Sequence, residues 1–394
     1  MSLNEALEVH PDEEETGPAI SPLKGMDVTR TNAVAGQWKL IGQKLVRQRV
    51  AMAAGIIVLL LYLIGAFCEF LAPGLPETSR AQYTYAPPQP IELFVTDADG
   101  NRQFLPHVAG YKIEIDPVAL RRSFVVDDTK IVPIGLFVHG AGYKLWGLIP
   151  TDIHLIGPLK KTDPMYLLGA DRLGRDLLSR LIYGTRISMS IGLVGVAISL
   201  LLGVALGALS GYYGGWVDTL VQRVIEIISA IPTIPLWLGL AAAIPLTWPP
   251  AQVYFIITLI VSLLVWTSLA REVRGRFLSL RDDDFVTAAR LDGSTERRII
   301  FRHILPSLTS HILAVVTLAV PTMIVAETSL SFLGIGLKPP VVSWGVLLQD
   351  AQNIRTVATA PWLLIWPSLA VVVAVLSFNF FGDGLRDAAD PYNT

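Results

Sequence analysis

The sequence predicts an all-α membrane protein with six transmembrane helices and a strand-containing insertion after the first. Three observations carry this. Of 394 residues, 52% are hydrophobic and only 16% charged, whereas about 25% charged is usual for a soluble domain. The mean hydropathy of +0.52 points the same way. Six apolar runs each approach the roughly 20 residues that a spanning helix needs. Finally, the stretch Arg271–Pro306, between the fourth and fifth runs, is dense in arginine: Arg271, Arg274, Arg276, Arg281, Arg290, Arg297, Arg298 and Arg302. Short loops so rich in Arg stay on the cytoplasmic side.

Residues 1–49 form an expected cytoplasmic tail, acidic from Asp12 to Glu15 and ending in an interfacial helix, Trp38–Arg49. There Lys39, Lys44, Arg47 and Arg49 alternate with Leu40, Ile41, Leu45 and Val46, and Trp38 suits headgroup level. The first span covers 50–71. Pro73, Pro76 and the Pro87–Pro90 cluster end it. Residues 72–184 contain no spanning run and make the periplasmic insertion. Short β-like pieces occur at Ile91–Val95 and Lys112–Ile115, and a turn signal at Asp97–Asn101 lies between them.

The five-helix core, 185–381, contains the runs Ile187–Leu209, Ile227–Leu246, Val253–Leu269, Leu308–Leu333 and Trp362–Phe381. Residues 382–394 follow as a cytoplasmic tail. Six spans from an inside N-terminus put both termini and the Arg-rich loop in the cytoplasm. Gly203, Gly207 and Gly211 repeat every fourth residue, a pattern that lets helices approach closely. Pro232, Pro235, Pro321 and Pro367 break regular helix inside spans, which is tolerated where neighbours or a cavity satisfy the freed carbonyls.

Within the loop 271–306, Asp282, Asp283 and Asp284 suit a helix N-terminus. Phe285, Ala288, Ala289 and Asp292 follow at helical spacing. Gly293 suits the residue just past the helix end, Ser294 can cap the next helix, and Pro306 restrains entry to the following span. Before the second span, Asp171 can cap a charged helix start in which Arg172, Arg175, Asp176 and Arg180 are spaced for pairing. Glu226 pairs naturally with Arg223. Glu327 is deeper and needs protein or water around it.

Several segments resemble one family. Ala288-Ala289, Gly293 and Leu305-Pro306 match the spacing of the cytoplasmic "EAA" loop of bacterial ABC importer permeases, with Thr287 where Glu is usual and His303 where Ile is usual. Leu168–Arg180 resembles the "LGTD-x-x-GRD-x-x-SR" signature of the dipeptide and oligopeptide branch, with Ala170 replacing Thr. Tyr183-Gly184, Arg186, Ser188 and Gly211–Gly215 agree with that branch. So do Leu330–Gly336 with Pro339-Pro340 and Ser343–Gly345, and Phe381–Pro391.

The resemblance implies the type I ABC importer permease fold, embedded in a bacterial inner membrane. Its expected partners are a second homologous permease subunit, two cytoplasmic ABC ATPases and a periplasmic substrate-binding protein. The expected cargo is di- or oligopeptide; oligosaccharides or other small solutes are the alternative, and a stand-alone secondary transporter is the rival class. The ATPase-coupling residues it implies are Phe285, Ala288, Ala289, Gly293, Leu305 and Pro306, flanked by Arg271, Arg274 and Arg302. Glu327 and Pro321 are candidates for a translocation path or gate.

Absences shape the reading as well. No G-x-x-x-x-G-K-[ST] loop occurs, so ATP and Mg are expected on partner ATPase subunits. No catalytic or metal motif is found: H-E-x-x-H, C-x-x-C and G-x-S-x-G are all missing. Cys68 is the only cysteine, the net charge of -2 points to no class of partner, and no basic domain suggests nucleic acid as a ligand.

Overall fold

The computed structural model describes residues 37–96, 102–115, 122–245 and 247–389. The acidic leader, the Asp97–Asn101 turn signal and Asp390-Pro391 of the C-terminal signature lie outside them, as does the Trp38 side chain. Helix α1 (Gln37–Arg47) is amphipathic. Its Ile41 is buried against Leu385 and Ala388 at the far end of the chain. Helix α2 (Arg49–Ala66) follows; Phe67 interrupts it, and α3 (Cys68–Leu71) adds one more turn. The apolar run expected to be one span to Leu71 is therefore broken near its C-terminal end.

The insertion is a four-stranded antiparallel meander: β1 (Ile91–Thr96), β2 (Arg102–Ile115), β3 (Arg122–Leu145) and β4 (Ile149–Pro158). The two β-like pieces seen in the sequence fall inside β1 and β2. Strand β3 pairs with β2 along its first half and with β4 along its second.

Helix α4 (Leu177–Tyr213) runs for 37 residues. It starts before the expected boundary at 184, because Asp176 caps it by accepting from the Ser179 amide at 2.7 Å. Helices α5 (Gly215–Ala230) and α6 (Thr233–Ala242) are bent by 85° at the break before Pro232 and Pro235. The run Ile227–Leu246 is thus two helix pieces, not one straight span. Next come α7 (Pro250–Leu280), α8 (Asp284–Leu291), the single turn α9 (Glu296–Arg298), a π-helical stretch Ile299–Ile304 and α10 (Leu305–Ser307). Helix α11 (Thr309–Phe332) crosses back with Pro321 buried inside it. Two short helices, α12 (Trp344–Gln349) and α13 (Ile354–Thr359), precede α14 (Trp362–Ala389). The tail expected from 382 is therefore mostly the end of α14, where Gly384 packs so closely on Ala51 of α2 that a Cβ would clash with it.

Among the described residues, five helices are long and apolar enough to cross a membrane, and the bent pair is the sixth candidate. Geometry decides that the pair crosses. Helices α4 and α7 run parallel: Ser190 meets Tyr254, Ser199 meets Ser262, and Gly211 meets Phe277. The chain leaves α4 at one end and enters α7 at the other, so α5 and α6 must return it across the same thickness. The glycine repeat forms the seam. A Cβ on Gly207 would lie 2.5 Å from the Ala270 carbonyl oxygen, and one on Gly203 2.8 Å from Leu269. Both termini of the described chain and the α8 loop share one side; the sheet, α12 and α13 share the other.

Candidate functional site

On the α8 side, Asp283 stands at the N-cap position and Asp284 begins the helix, although no side chain closes the cap. The helix ends as its sequence suggests. Gly293 has φ +75, its amide donates to the Arg290 carbonyl at 3.0 Å, and the Ser294 amide donates to the Ala289 carbonyl at 3.0 Å. This is the Schellman closure that a left-handed glycine permits. The next cap position is Thr295, one residue beyond the expected Ser294.

The face expected to hold Phe285, Ala288 and Ala289 together is divided. Ala289 is only 6% exposed and packs with Val286, Phe277, Ile299, Ile300 and Ile304. Phe285, at 42%, Ala288, and Leu291, at 84%, point outward. The outward stripe is 285, 288, 291; helical spacing groups Ala289 with Phe285 and Ala288, but the rotation of the helix turns Ala289 inward. Leu291 was missed, although a bare leucine at i+3 from Ala288 was the available signal.

The flanking arginines divide too. Arg271 and Arg302 are exposed. Arg274 turns back into its own chain and clamps Asp218 of α5, Nε to Oδ1 at 2.5 Å and Nη2 to Oδ2 at 2.6 Å. Leu305 is half-buried and Pro306 exposed in α10. Two contacts tie the loop to the end of α4. The Arg290 guanidinium lies 5.9 Å from the Tyr212 ring centroid, and the Tyr213 hydroxyl donates to Glu296 at 3.0 Å. The Arg223–Glu226 pair expected from the sequence is present at 2.7 Å, on the surface.

The opposite end carries a buried charge network. Asp171 does not cap α4; it sits in the preceding turn, fully buried. It accepts from the Leu173 amide at 2.8 Å, the Arg175 amide at 3.0 Å and Arg175 Nε at 2.7 Å. It also accepts from Arg180 Nη1, which rises from the first turn of α4. Asp350, just past α12, faces Arg180 at 3.5 Å and Arg172 at 3.1 Å. Burial pushes the Asp350 carboxyl up, and Arg180 partly offsets that. Burial also pushes the Asp176 carboxyl up to about 6, against hydrogen bonds from Ser179.

Glu327 lies beside this network. It is fully buried and accepts from the Ser331 hydroxyl at 2.8 Å, the Ser343 hydroxyl at 2.7 Å and the Ser188 hydroxyl at 3.4 Å. Ser343 caps α12 through the Val346 amide at 3.2 Å, and Ser188 accepts from the Trp344 amide at 3.1 Å. One carboxylate therefore fastens α11, α12 and α4 together as a staple. Pro321 is buried in the same helix near Gly192 of α4, whose Cβ would meet Val320 and Ile324.

Between α4, α6, α7 and α11 is a cavity of about 360 Å³, with Ser199, Thr233, Ser268 and Thr322 among its lining and Trp237 at its side. Its lining is uncharged. Sequence reasoning passed over these residues because isolated Ser and Thr in apolar runs give no spacing signal.

Two family models match. That for the binding-protein-dependent transport system inner membrane component covers residues 203–392. That for the N-terminal TM domain of oligopeptide transport permease C covers residues 36–88. The sheet lies between them, outside both. The oligopeptide transport system permease protein OppC of Haemophilus influenzae is 39% identical over 61% of this chain and 75% of its own length. The dipeptide transport system permease protein DppC of Alkalihalophilus pseudofirmus is 38% identical over 57% and 71%. The glutathione transport system permease protein GsiD of Pectobacterium atrosepticum is 38% identical over 57% and 72%. A solved structure, the inward-facing MetNI methionine ABC transporter, is more distant: TM-score 0.42 and 17% identity, over 53% of this chain and 96% of that one. The relatives are permease proteins of multi-component transport systems, and this replaces the rival reading of a stand-alone secondary transporter. The chain belongs to the binding-protein-dependent transport system inner membrane components, as a multi-pass permease subunit and not an enzyme.

Proposed function

We propose that this chain pairs with a second, homologous permease subunit to form the membrane path of an importer for di- and oligopeptides. An external binding protein delivers the cargo. Two cytoplasmic ABC ATPases, binding ATP and Mg, drive the cycle through α8. On this reading the Arg-rich side and both termini are cytoplasmic, in keeping with the charge rule, and the sheet faces outward.

The observation that carries the reading is the outward stripe of α8. Phe285, Ala288 and Leu291 form a bare apolar strip on a helix whose other side, Val286 and Ala289, is locked into the chain's own core. A short helix anchored on one face and apolar on the other suits a groove on a partner. The peptide cargo is supported by the relatives' own names and by the hydroxyls of Ser199, Thr233, Ser268 and Thr322 in an otherwise apolar, uncharged cavity. Neutral donors and acceptors serve a peptide backbone whatever its side chains.

Ala288→Trp and Leu291→Asp test the docking. Each should leave the subunit at normal membrane levels and abolish co-isolation of the ATPases and peptide uptake. Normal ATPase binding by both variants removes α8 as the coupling surface. Ala289→Trp is the poorer probe, because it overpacks the subunit's own core. Titration of the binding protein with peptides and with oligosaccharides separates the two cargo classes.

A further inference from the structure

We propose that the β3–β4 hairpin of the insertion dips its tip into the membrane, seating Trp146, Leu148 and Ile149 at the headgroup–acyl boundary of the leaflet on the sheet's side. The inference needs only that α2 crosses the bilayer; it does not depend on the cargo or on the docking of α8.

The height of the tip is set by its contacts with the chain leaving the membrane. The Trp146 indole Nε1 donates to the Ala66 carbonyl at 2.7 Å, and Ala66 is the last residue of α2. Further from the membrane, His154 Nδ1 lies 2.6 Å from the Ala72 carbonyl oxygen. Further still, Gly157 approaches the Pro73 carbonyl. As the exit segment climbs from Ala66 to Pro73, β4 climbs beside it from its tip to its base. The hairpin therefore points at the bilayer, and its turn is its most membrane-proximal part.

The turn is apolar where water would favour polar residues. Leu148 is 78% exposed, Ile149 53% and Trp146 51%. Exposed Lys144 stands beside them, placed to reach a lipid phosphate. The backbone is bent to make this possible: Trp146 holds φ +51 and Gly147 φ +74. Left-handed backbone is rare for a bulky residue and marks a conformation kept by its surroundings. Here the indole gains the Ala66 carbonyl and lies 5.3 Å from the Phe67 ring, the two planes tilted by 53°. Trp at headgroup level with leucine below it is how interfacial elements anchor.

The occupant is lipid because the patch continues the lipid-facing side of α2. Leu59, Leu60 and Leu63 are exposed along that helix and Phe67 ends it, so acyl chains already wet the surface that the tip extends.

Nitroxide labels at Leu148→Cys and Ile149→Cys test this in the assembled importer in bilayers; Cys68, the only cysteine, is buried. Collision with oxygen and with a water-soluble nickel chelate is read, with Leu60→Cys as the lipid reference and Leu93→Cys on β1 as the water reference. The expected result is oxygen access near that of Leu60→Cys and loss of nickel access relative to Leu93→Cys. Nickel access equal to Leu93→Cys puts the tip in water and overturns the proposal. Protection from both reagents, with an immobilised label, assigns the tip to a protein partner and overturns it equally.

Discussion

The two ends of this molecule are finished in opposite ways. On the sheet side, charges are closed upon one another: Asp171, Arg175, Arg180 and Asp350 form one network, and Glu327 is surrounded by three hydroxyls. On the α8 side, the outermost surface is left apolar and open at Phe285, Ala288 and Leu291. A closed network holds its own chain together, whereas an open stripe completes itself only on another. The first should therefore govern stability and the second assembly.

The largest effect expected from breaking this contrast is at Asp171. Asp171→Ala leaves Arg180, 1% exposed, facing only Asp350 at 3.5 Å. Removing one partner of a buried pair costs about 3–5 kcal/mol. Thermal melting of the purified subunit should drop sharply, and an unchanged melting temperature would mean the network is not holding α12 to α4. Glu327→Gln keeps the shape but withdraws one acceptor from the hydroxyls, at a cost of about 1–3 kcal/mol. It should lower melting by less and loosen α12, read as faster amide exchange at Trp344 and Val346. Exchange unchanged at both amides would sink the staple. By contrast, Leu291→Asp should move melting by no more than about 0.5 kcal/mol, as surface changes do, while ATPase binding is lost.

The smallest expected effect is a slope with pH. The Asp176 carboxyl sits at about 6 against 3.8 unperturbed. Between those values the folded protein holds a proton that the unfolded chain has released. Stability should rise as pH falls through about 6 and level off below about 4. Asp350, also raised by burial, contributes in the same sense. Asp176→Asn should flatten the gain in melting temperature from about pH 7 to about pH 5; an unaltered slope assigns it to other groups.

Elements with a period were visible in the residues alone. The glycines at 203, 207 and 211 announce the α4–α7 seam, and Gly293 announces the end of α8. What escaped was set by tertiary contact. Asp171 looked like a helix cap because any Asp before an apolar run does; only the fold shows it shared between two arginines. Strand β3 was hidden because Asp127, Asp128, Gly140 and Gly142 interrupt its alternation. Two of its pairings shift register nearby, between Ala109 and Gly110 on β2 and between His139 and Tyr143. The 85° bend of α5 on α6 was signalled by Pro232 and Pro235, but a proline states where a helix breaks and not through what angle. The inward rotation of Ala289 depends on Phe277 and Ile304, residues remote from it in sequence.

The α4–α7 seam has a mechanical consequence. At 1.5 Å per residue the two helices are about 55 and about 46 Å long, well beyond a hydrocarbon core of about 30 Å. Neither contains a proline past its first residue, while α6, α11 and α14 all do. Their glycine contacts leave no slack for sliding. The pair is thus a stiff rod, touched at one tip by Arg290 through Tyr212 and holding Arg180 in the first turn of α4 at the other. A rod without a joint does not bend between its ends: any tilt imposed at α8 reaches the Asp171–Asp350 lock as the same tilt, and the bending falls to the proline-bearing helices around it.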